Sequence, residues 1–189
     1  MGRLLLIRHG ESEGNRERIF TPSGDTPLTE LGIQQAQAVA GRLRREFAVR
    51  RVVASPYRRA LHTAEVVAAA HGLAVEVEPA LHERDWGALI GRPYRDAREA
   101  PGLNPERYWE WRPPGGETME DVRQRTGPVL DRLATAFPDD DQVIVSHGGV
   151  MTALWRHITG EWRAGRVVDN TGLIVVEFSA GQYRDARFP

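Results

Sequence analysis

The 189-residue sequence contains no cysteine and no lysine, and each absence removes a class of chemistry. Without cysteine the chain has no disulfide, no thiolate zinc site and no cysteine nucleophile. Without lysine it has no phosphate-binding P-loop, because that motif ends in Gly-Lys-Ser or Gly-Lys-Thr. All 25 basic residues are therefore arginine. For this exclusive use of arginine as a whole, coding bias is a better explanation than anion binding.

Charge and hydropathy exclude two further classes of protein. The formal net charge of -1 argues against a nucleic-acid partner, whose binding needs a basic excess, although a local cationic pocket stays compatible with it. No apolar run approaches the roughly 18 residues that span a bilayer. The first apolar run, residues 4–7, is too short for a signal peptide. We expect a soluble cytoplasmic protein with a small-molecule partner and no membrane contact; the oligomeric state stays open, a homodimer being one option.

Short apolar runs alternate with amphipathic stretches along the chain, which predicts strands alternating with helices. The predicted strands cover 4–7, 51–54, 75–77, 143–145 and, as the final strand, 173–178. The predicted helices cover about 29–46, 57–71, 118–136 and 150–158, with residues 10–27 as a long loop. This order predicts an α/β fold, a three-layer sandwich around a largely parallel central sheet, as one domain over 1–189.

Residues 84–116 differ in amino-acid composition from the rest of the chain. They hold six arginines, several prolines and glycines, and five aromatic residues. This composition predicts a lid or insertion with short helices that selects the substrate. Most of its aromatic residues are expected to pack beneath the lid, and Trp86, Tyr94 and Trp109 are the candidates for substrate contact.

Chemically active residues follow the predicted strands at their carboxyl ends, where ligands collect in α/β sheets. The segments that leave the first four strands are, in order, Arg8-His9-Gly10, 55–59, His82-Glu83 and 146–149. Two histidines, two or three arginines and one glutamate are therefore expected to converge from separate parts of the chain.

Two imidazoles beside two guanidiniums suit a phosphoryl group. Arginine offers a planar fork of donors that matches phosphate oxygens. A neutral histidine is a nucleophile towards phosphorus, and nearby arginines keep it neutral by repulsion between like charges. Glycines after each histidine, such as Gly148, permit close approach of the backbone and add amide donors.

Five segments resemble, in the same order, the motifs of the histidine phosphatase superfamily, which includes the phosphoglycerate mutases. They are Leu-Leu-Leu-Ile-Arg-His-Gly-Glu-Ser at 4–12, followed by Asn15; 25–36; Ser-Pro-Tyr-Arg-Arg-Ala-Leu-His-Thr-Ala at 55–64; Leu-His-Glu at 81–83 with Gly87 and Gly91; and Val-Ser-His-Gly-Gly at 145–149. Each segment alone is weak evidence for the family, whereas five segments in the family's order are a specific match.

The resemblance implies a role for each matching residue. His9 is the nucleophile that becomes phosphorylated, and Glu83 is the general acid and then the general base. The residues implied to hold the phosphoryl oxygens are Arg8, Asn15, Arg59 and His147. Arg59 is chosen over Arg58 because the family's arginine directly precedes alanine. The resemblance implies no cofactor and no metal.

Departures from the family pattern decide between two activities. The run Gly-Ala-Leu-Ile-Gly at 87–91 is similar to the mutases, but the Asn-Lys pair and double arginine that follow in mutases are missing. Gly-Gly-Glu-Thr at 115–118 resembles the shorter phosphatase branch. The prediction is a phosphomonoesterase of small phosphorylated metabolites, with a phosphoglycerate mutase as the alternative. A module that binds phosphate ligands without turnover is a third hypothesis, and the intact Glu83 counts against it.

A serine hydrolase is the distant alternative, because Gly-Glu-Ser-Glu-Gly at 10–14 matches the nucleophile elbow around Ser12. An elbow normally follows several strands and leads directly into a long helix, whereas this one follows the first strand. Acyl transfer also leaves Arg8 and Arg59 without a role. Three other histidines, His62, His71 and His157, are predicted to be structural or exposed.

Overall fold

The computed structural model describes residues 2–21, 24–162, 168–179 and 181–189. Its strands are β1 (Gly2–Arg8), β2 (Val49–Ala54), β3 (Val75–Val77), β4 (Asp141–Ser146), β5 (Leu173–Ser179) and β6 (Gln182–Arg187). Its α-helices are α1 (Glu13–Glu17), α2 (Glu30–Glu46), α3 (Arg58–His71), α4 (Tyr94–Arg98), α5 (Met119–Ala136) and α6 (Gly148–Thr159). Across these ranges, no helix combines the length and apolarity that crossing a membrane requires.

The strands form one six-stranded sheet in the order β3-β2-β4-β1-β5-β6. The first four strands in that order pair in parallel, and β5 and β6 join antiparallel. The α/β class and the largely parallel sheet predicted from the sequence are confirmed. The prediction that 173–178 is the final strand is wrong, because β6 follows it. Only Tyr183 and Ala186 of β6 are half-buried, so this exposed edge strand carries almost no apolar pattern.

Alternate residues of β1 enter two separate cores, one on each face of the sheet. Leu5 and Ile7 pack with residues of α2 and α3, such as Leu43 and Val67. Leu4 and Leu6 pack on the opposite face with α5 and α6. This alternation is the reason that β1 reads as an unbroken apolar run: both faces of a central strand are covered by helices.

The helix boundaries follow local signals. Thr29 accepts a hydrogen bond from the amide of Gly32 at the start of α2, and Thr118 forms a capping box at the start of α5. Gly72 ends α3 with a φ of 68°, a left-handed conformation that favours glycine. The loop predicted at 10–27 contains the five-residue α1, and the segment 84–116 contains α4 and two 3-10 helices, Gly87–Leu89 and Pro105–Arg107.

Strand register brings the predicted site residues together. In the parallel pairing of β1 with β4, Arg8 lies opposite Ser146, so the next residues, His9 and His147, are neighbours. The amide of His9 donates to the carbonyl of Ser146 at 2.9 Å. On the other side of β4 the amide of Ser55 donates to the carbonyl of Val145 at 3.0 Å. Three segments more than 40 residues apart therefore meet at the carboxyl edge of the sheet.

Glu83 reaches this edge by a different route from the other residues. The third strand does not lead directly into His82-Glu83 as predicted: β3 ends at Val77, and a 3-10 helix, Pro79–Leu81, follows. Ser146 Oγ donates to the carbonyl of Leu81 at 2.7 Å, which attaches this turn to the end of β4. Glu83 is thus held against the sheet by the turn rather than by a strand.

Candidate active site

His9 is 2% exposed, and its hydrogen bonds define which ring nitrogen carries the proton. Nδ1 lies 2.6 Å from the carbonyl oxygen of Gly10. Because a carbonyl only accepts, Nδ1 must be the protonated nitrogen. The Nε of Arg59 donates to Nε2 of His9 at 3.1 Å, so Nε2 must carry a lone pair. The ring is therefore held as the tautomer whose nucleophilic nitrogen faces the arginine.

Electrostatics keep both histidines neutral. Burial, followed by the charges of Arg59 and Arg8, lowers the pKa of His9 well below its ordinary value. Burial, followed by Arg59, also lowers the pKa of His147 well below the ordinary value. The two rings lie 5.1 Å apart between centroids, at an angle of 64°. A neutral His9 retains the lone pair that nucleophilic attack requires.

The two predicted arginines have donors that remain unpaired. Arg8 Nη1 donates to the carbonyl of Val168 at 2.7 Å, but its Nε has no partner among the described residues. Arg59 is 5% exposed, and its Nη1 is likewise buried without a partner in the described part of the chain. Burial lowers the pKa of both guanidiniums, although each remains a cation. Arg58 is exposed, as expected from the choice of Arg59.

His147 is fully buried and belongs to the same cluster. Its Nε2 lies 2.7 Å from the Oγ of Ser55, and its Nδ1 has no partner among the residues that the structure describes. His147 is the N-cap residue of α6, and the following Gly148 is the first residue of that helix. The amide of Gly148 is one of the four that a helix leaves without an intrahelical acceptor. The Gly148 amide is therefore a donor for an anion, and Nδ1 of His147 is open to a ligand.

Glu83 sits against the same helix terminus. Its Oε1 accepts from the amide of Arg84 at 2.8 Å, and its Oε2 accepts from the amide of Gly149 at 3.3 Å. A β-carbon on residue 149 would lie 2.5 Å from Oε1 of Glu83. The second glycine of the Ser-His-Gly-Gly segment therefore leaves room for the Glu83 carboxylate, which a larger residue would displace.

Arg125, a helix residue that sequence reasoning missed, holds the backbone of the turn that carries Glu83. Its Nη1 donates to the carbonyls of Ala80 and His82 at 2.6 and 2.9 Å, and its Nη2 donates to the carbonyl of Glu83 at 3.1 Å. Glu117 pairs with the same guanidinium through both carboxylate oxygens at 2.9 Å. Nothing in the local pattern of α5 distinguishes this arginine from its solvated neighbours.

Asn15 belongs to a hydrogen-bond network that reaches the backbone of His9 through Asn170. Its Oδ1 accepts from Asn170 Nδ2 at 3.0 Å, and its Nδ2 donates to the hydroxyl of Tyr94 at 3.1 Å. An amide nitrogen carries two hydrogens, so one N–H of Asn15 remains for a ligand. Asn170 also donates to the carbonyl of His9 at 3.0 Å. Asn170 follows no recognisable motif, and only the structure locates it.

Ser12, the residue of the serine hydrolase alternative, has a structural role. It is 1% exposed, and its hydroxyl accepts from the amide of Asn15 at 3.4 Å as the N-cap of α1. Among the hydrogen bonds of the described residues, neither histidine contacts the Ser12 hydroxyl: Nε2 of His147 faces Ser55, and Nε2 of His9 faces Arg59. The elbow-like sequence thus forms a helix cap.

The remaining predicted residues divide between the rim of the site and the surface. Tyr57 packs its ring 5.2 Å from that of His147 and 6.1 Å from that of His82, so His82 lies at the rim. Arg84 is buried, and its guanidinium carbon lies 4.5 Å from the ring centroid of Trp86 and 5.7 Å from that of Trp111. His157 pairs with Asp131 at a distance from the site. Among the described residues, no group of three or more His, Asp or Glu side chains is placed to hold a metal ion.

The fold and the paired histidines define a class, that of α/β proteins with a cationic two-histidine site at the carboxyl edge of the sheet. The sequence model of the histidine phosphatase superfamily (branch 1) matches residues 4–188. The chain belongs to that superfamily, as its motifs predicted.

Known relatives agree with this placement. Phosphoglycerate mutase-like protein 4 of Arabidopsis thaliana is 32% identical over 187 residues, which are 94% of this chain and 80% of that protein. The solved structure of a mycobacterial glucosyl-3-phosphoglycerate phosphatase in complex with VO3 matches with a TM-score of 0.85 at 30% identity. That match covers 98% of this chain and 96% of the other. The two proteins share their fold over nearly their whole lengths.

A further relative is much longer than this chain. A bifunctional protein of Mycobacterium tuberculosis is 37% identical over 151 residues, which are 77% of this chain but 41% of that protein. The chain therefore spans about two-fifths of the length of that relative.

Proposed function

We propose that the protein is a phosphomonoesterase that hydrolyses small phosphorylated metabolites through a covalent phosphohistidine on His9. One observation carries the proposal: beside the lone pair on Nε2 of His9, the same cluster of histidines and arginines holds three buried nitrogens that have no partner among the described residues. Those nitrogens are Arg8 Nε, Arg59 Nη1 and His147 Nδ1. Unpaired buried polar groups are rare in proteins, and an anion with three equatorial oxygens satisfies all of them at once.

In the first step the lone pair of Nε2 attacks phosphorus while the bond from phosphorus to the ester oxygen breaks. The two guanidiniums neutralise the charge that accumulates on the equatorial oxygens. Glu83, as the carboxylic acid, gives its proton to the departing alcohol. The products are the free alcohol, a phosphorylated His9 and the carboxylate of Glu83.

In the second step Glu83 reverses its role. The carboxylate removes a proton from water, the water oxygen bonds to phosphorus, and the bond from Nε2 to phosphorus breaks. Inorganic phosphate leaves, and His9 and the acid form of Glu83 are regenerated. Glu83 is suited to both steps because the amides of Arg84 and Gly149 hold its two oxygens in a defined position.

Ion pairs at three of the six arginines of the lid support water, rather than a second alcohol, as the acceptor of the phosphoryl group. A mutase must hold the other anionic end of its substrate while the phosphoryl group moves. In the lid, Arg92 pairs with Asp96, Arg107 with Glu110, and Arg112 with Asp121, at 2.8, 2.5 and 2.7 Å. These guanidiniums are occupied by carboxylates of the protein. We therefore propose the segment 84–116 as a substrate-selecting lid of a phosphatase.

The direct test is to trap the phosphorylated enzyme. Protein mixed with 4-nitrophenyl phosphate and quenched in alkaline denaturant should carry one phosphoryl group that is stable in base and labile in acid, as a phosphoramidate is. The His9→Ala variant should carry none and should have lost its activity. A His62→Ala variant, which removes a histidine from α3 outside the cluster, should react as the wild type does. A His9→Ala variant with wild-type turnover contradicts the proposal.

Product analysis with 3-phosphoglycerate separates the two acceptors. Release of inorganic phosphate supports the phosphatase. Accumulation of 2-phosphoglycerate without inorganic phosphate would instead assign the chain to the mutases, with the same phosphohistidine chemistry.

A further inference from the structure

Ser55 lies fully buried between two groups of the site, and its single hydroxyl proton has a defined destination. The hydroxyl oxygen accepts a hydrogen bond from the amide of Tyr57 at 3.3 Å. It lies 2.7 Å from Nε2 of His147. Since an amide N–H can only donate, Nε2 of His147 is the acceptor that the described residues offer to the Ser55 proton.

We propose that Ser55 is a positioning residue, which donates to Nε2 of His147 and thereby holds that ring as the tautomer with its proton on Nδ1. The inference rests on the proposed function, in which Nδ1 of His147 contacts a phosphoryl oxygen. It adds a residue that the family motifs place in the sequence but to which the sequence analysis gave no role.

The opposite tautomer leaves two groups unsatisfied. With its proton on Nε2, His147 would donate to Ser55, and the serine O–H would have no acceptor among the described residues. Nδ1 would then present a lone pair to the anion in place of an N–H. A buried lone pair repels a phosphoryl oxygen, whereas an N–H attracts it. The tautomer therefore decides whether the interaction of Nδ1 with the phosphoryl oxygen is repulsive or attractive.

A neutral ring makes this choice necessary. Burial and the charges of Arg59 and Arg8 lower the pKa of His147, so the ring carries one proton and not two. A doubly protonated ring would donate from Nδ1 whatever Ser55 did. In the neutral ring the single proton sits on either Nδ1 or Nε2. The hydroxyl of Ser55, which contacts Nε2, places it on Nδ1.

The tautomer can be measured in the resting protein by long-range proton–nitrogen correlation NMR on histidine-labelled protein. The His147 signals are identified by their absence in His147→Asn. We expect Nδ1 of His147 to be protonated in the wild type and the two tautomers to be mixed in Ser55→Ala. A wild-type His147 protonated on Nε2 overturns the inference, and that measurement requires no variant of Ser55 to fold and no turnover.

Kinetics then test the consequence for catalysis. Ser55→Ala should lower kcat/KM for 4-nitrophenyl phosphate about 3- to 10-fold, because only the fraction of His147 that carries its proton on Nδ1 can then donate to the phosphoryl group. Ser55→Thr keeps a hydroxyl and should restore most of the activity. Thr126→Val is the matched control, because it also removes a fully buried hydroxyl, one that bonds the carbonyl of Val122 in α5. It should change neither the tautomer nor kcat/KM.

A double-mutant cycle excludes a merely structural role for Ser55. Asparagine at position 147 has an amide N–H near the place of Nδ1 and no ring tautomer to select. In a His147→Asn background the further change Ser55→Ala should therefore alter kcat/KM by less than about twofold. An equal loss in both backgrounds overturns the inference.

The outcome is separable from that of the proposed function. If His147 is protonated on Nδ1 but no phosphorylated enzyme forms, the inference about Ser55 holds and the proposed phosphatase activity is wrong. A phosphorylated His9 together with His147 protonated on Nε2 would do the reverse.

Discussion

The Nε of Arg59 donates a hydrogen bond of 3.1 Å to the Nε2 of His9, the nitrogen that attacks phosphorus in the proposed reaction. This contact occupies the nucleophilic lone pair in the resting site. Attack therefore requires the N–H of Arg59 to pass from the nitrogen to a phosphoryl oxygen as the substrate enters. In the proposed reaction, Arg59 would therefore first occupy the lone pair of His9 and then bind the charge that develops on the phosphoryl oxygens.

Arg59→Ala should lower kcat/KM about 100- to 1,000-fold, the range found when a donor to the transition-state oxyanion is removed. Loss of the cation should also move the pKa of His9 upward, because the charge of Arg59 is one cause of its depression. Steady-state kinetics and histidine NMR titration measure the two effects. Arg58→Ala is the matched control, since that neighbouring side chain is exposed, and its activity should match the wild type.

Glu83→Gln should show a loss that depends on the leaving group. An amide cannot supply a proton, so alkyl phosphates, whose alcohols are poor leaving groups, should react about 100- to 10,000-fold more slowly. For 4-nitrophenyl phosphate, whose phenol leaves without protonation, the formation of phosphohistidine should be slowed much less. Single-turnover measurements on the two esters give the comparison. Equal losses on both would show that Glu83 is not the acid.

Gly149→Ala should impair catalysis through Glu83, because the new β-carbon would lie 2.5 Å from Oε1. The carboxylate must move away from the amide that holds its other oxygen. We expect kcat to fall about 10-fold or more, as a displacement of about 1 Å can cost 100-fold, with a smaller change in KM. Gly41→Ala in α2 is the control, since its nearest neighbour, Arg45, would be 3.6 Å away. That change should leave kcat unaltered and stabilise the fold by about 0.5–1 kcal/mol.

Arg125→Ala should reduce both activity and stability. It removes the donors to three carbonyls of the turn and leaves the half-buried Glu117 without its cation. The free energy of unfolding should fall by about 2–3 kcal/mol. Because Arg125 contacts the Glu83 backbone rather than the phosphoryl group, kcat should fall more than the affinity for inorganic vanadate. Arg123→Ala on the same helix removes only a pair with Glu120, and near wild-type values are expected.

The buried histidines should make the fold less stable as the pH falls below about 6.5, the ordinary histidine pKa. The pKa of His9 is lower in the folded protein, so the unfolded chain binds more protons in this window. The free energy of unfolding should then decrease by up to about 1.4 kcal/mol per pH unit for each such histidine, the full slope being reached once the unfolded histidine is protonated. Urea denaturation between pH 7 and 5 should give His9→Asn a slope smaller by that amount. Identical slopes would show that His9 is not held neutral.

Much of the fold can be predicted from the sequence because the residues that determine each helix or strand lie within that element or next to it. The apolar run of β1, the cap residue Thr29 and the helix-ending Gly72 each act within a few residues of their position. β6 was missed for the converse reason. It is an exposed edge strand held by pairing with β5, and such a strand needs no apolar pattern of its own.

The site likewise has features that the sequence determines and features that only the tertiary structure determines. The sequence by itself determined that His9, Arg59, Glu83 and His147 stand in the motifs of a histidine phosphatase, because short motifs keep residue types and spacing. Only the tertiary structure decided what holds them. Ser55 meets His147 across 92 positions of sequence, and Arg125 meets the carbonyl of Glu83 across 42. Hydrogen-bond direction, tautomer and pKa depend on such distant partners and on burial, so they exist only once the chain has folded.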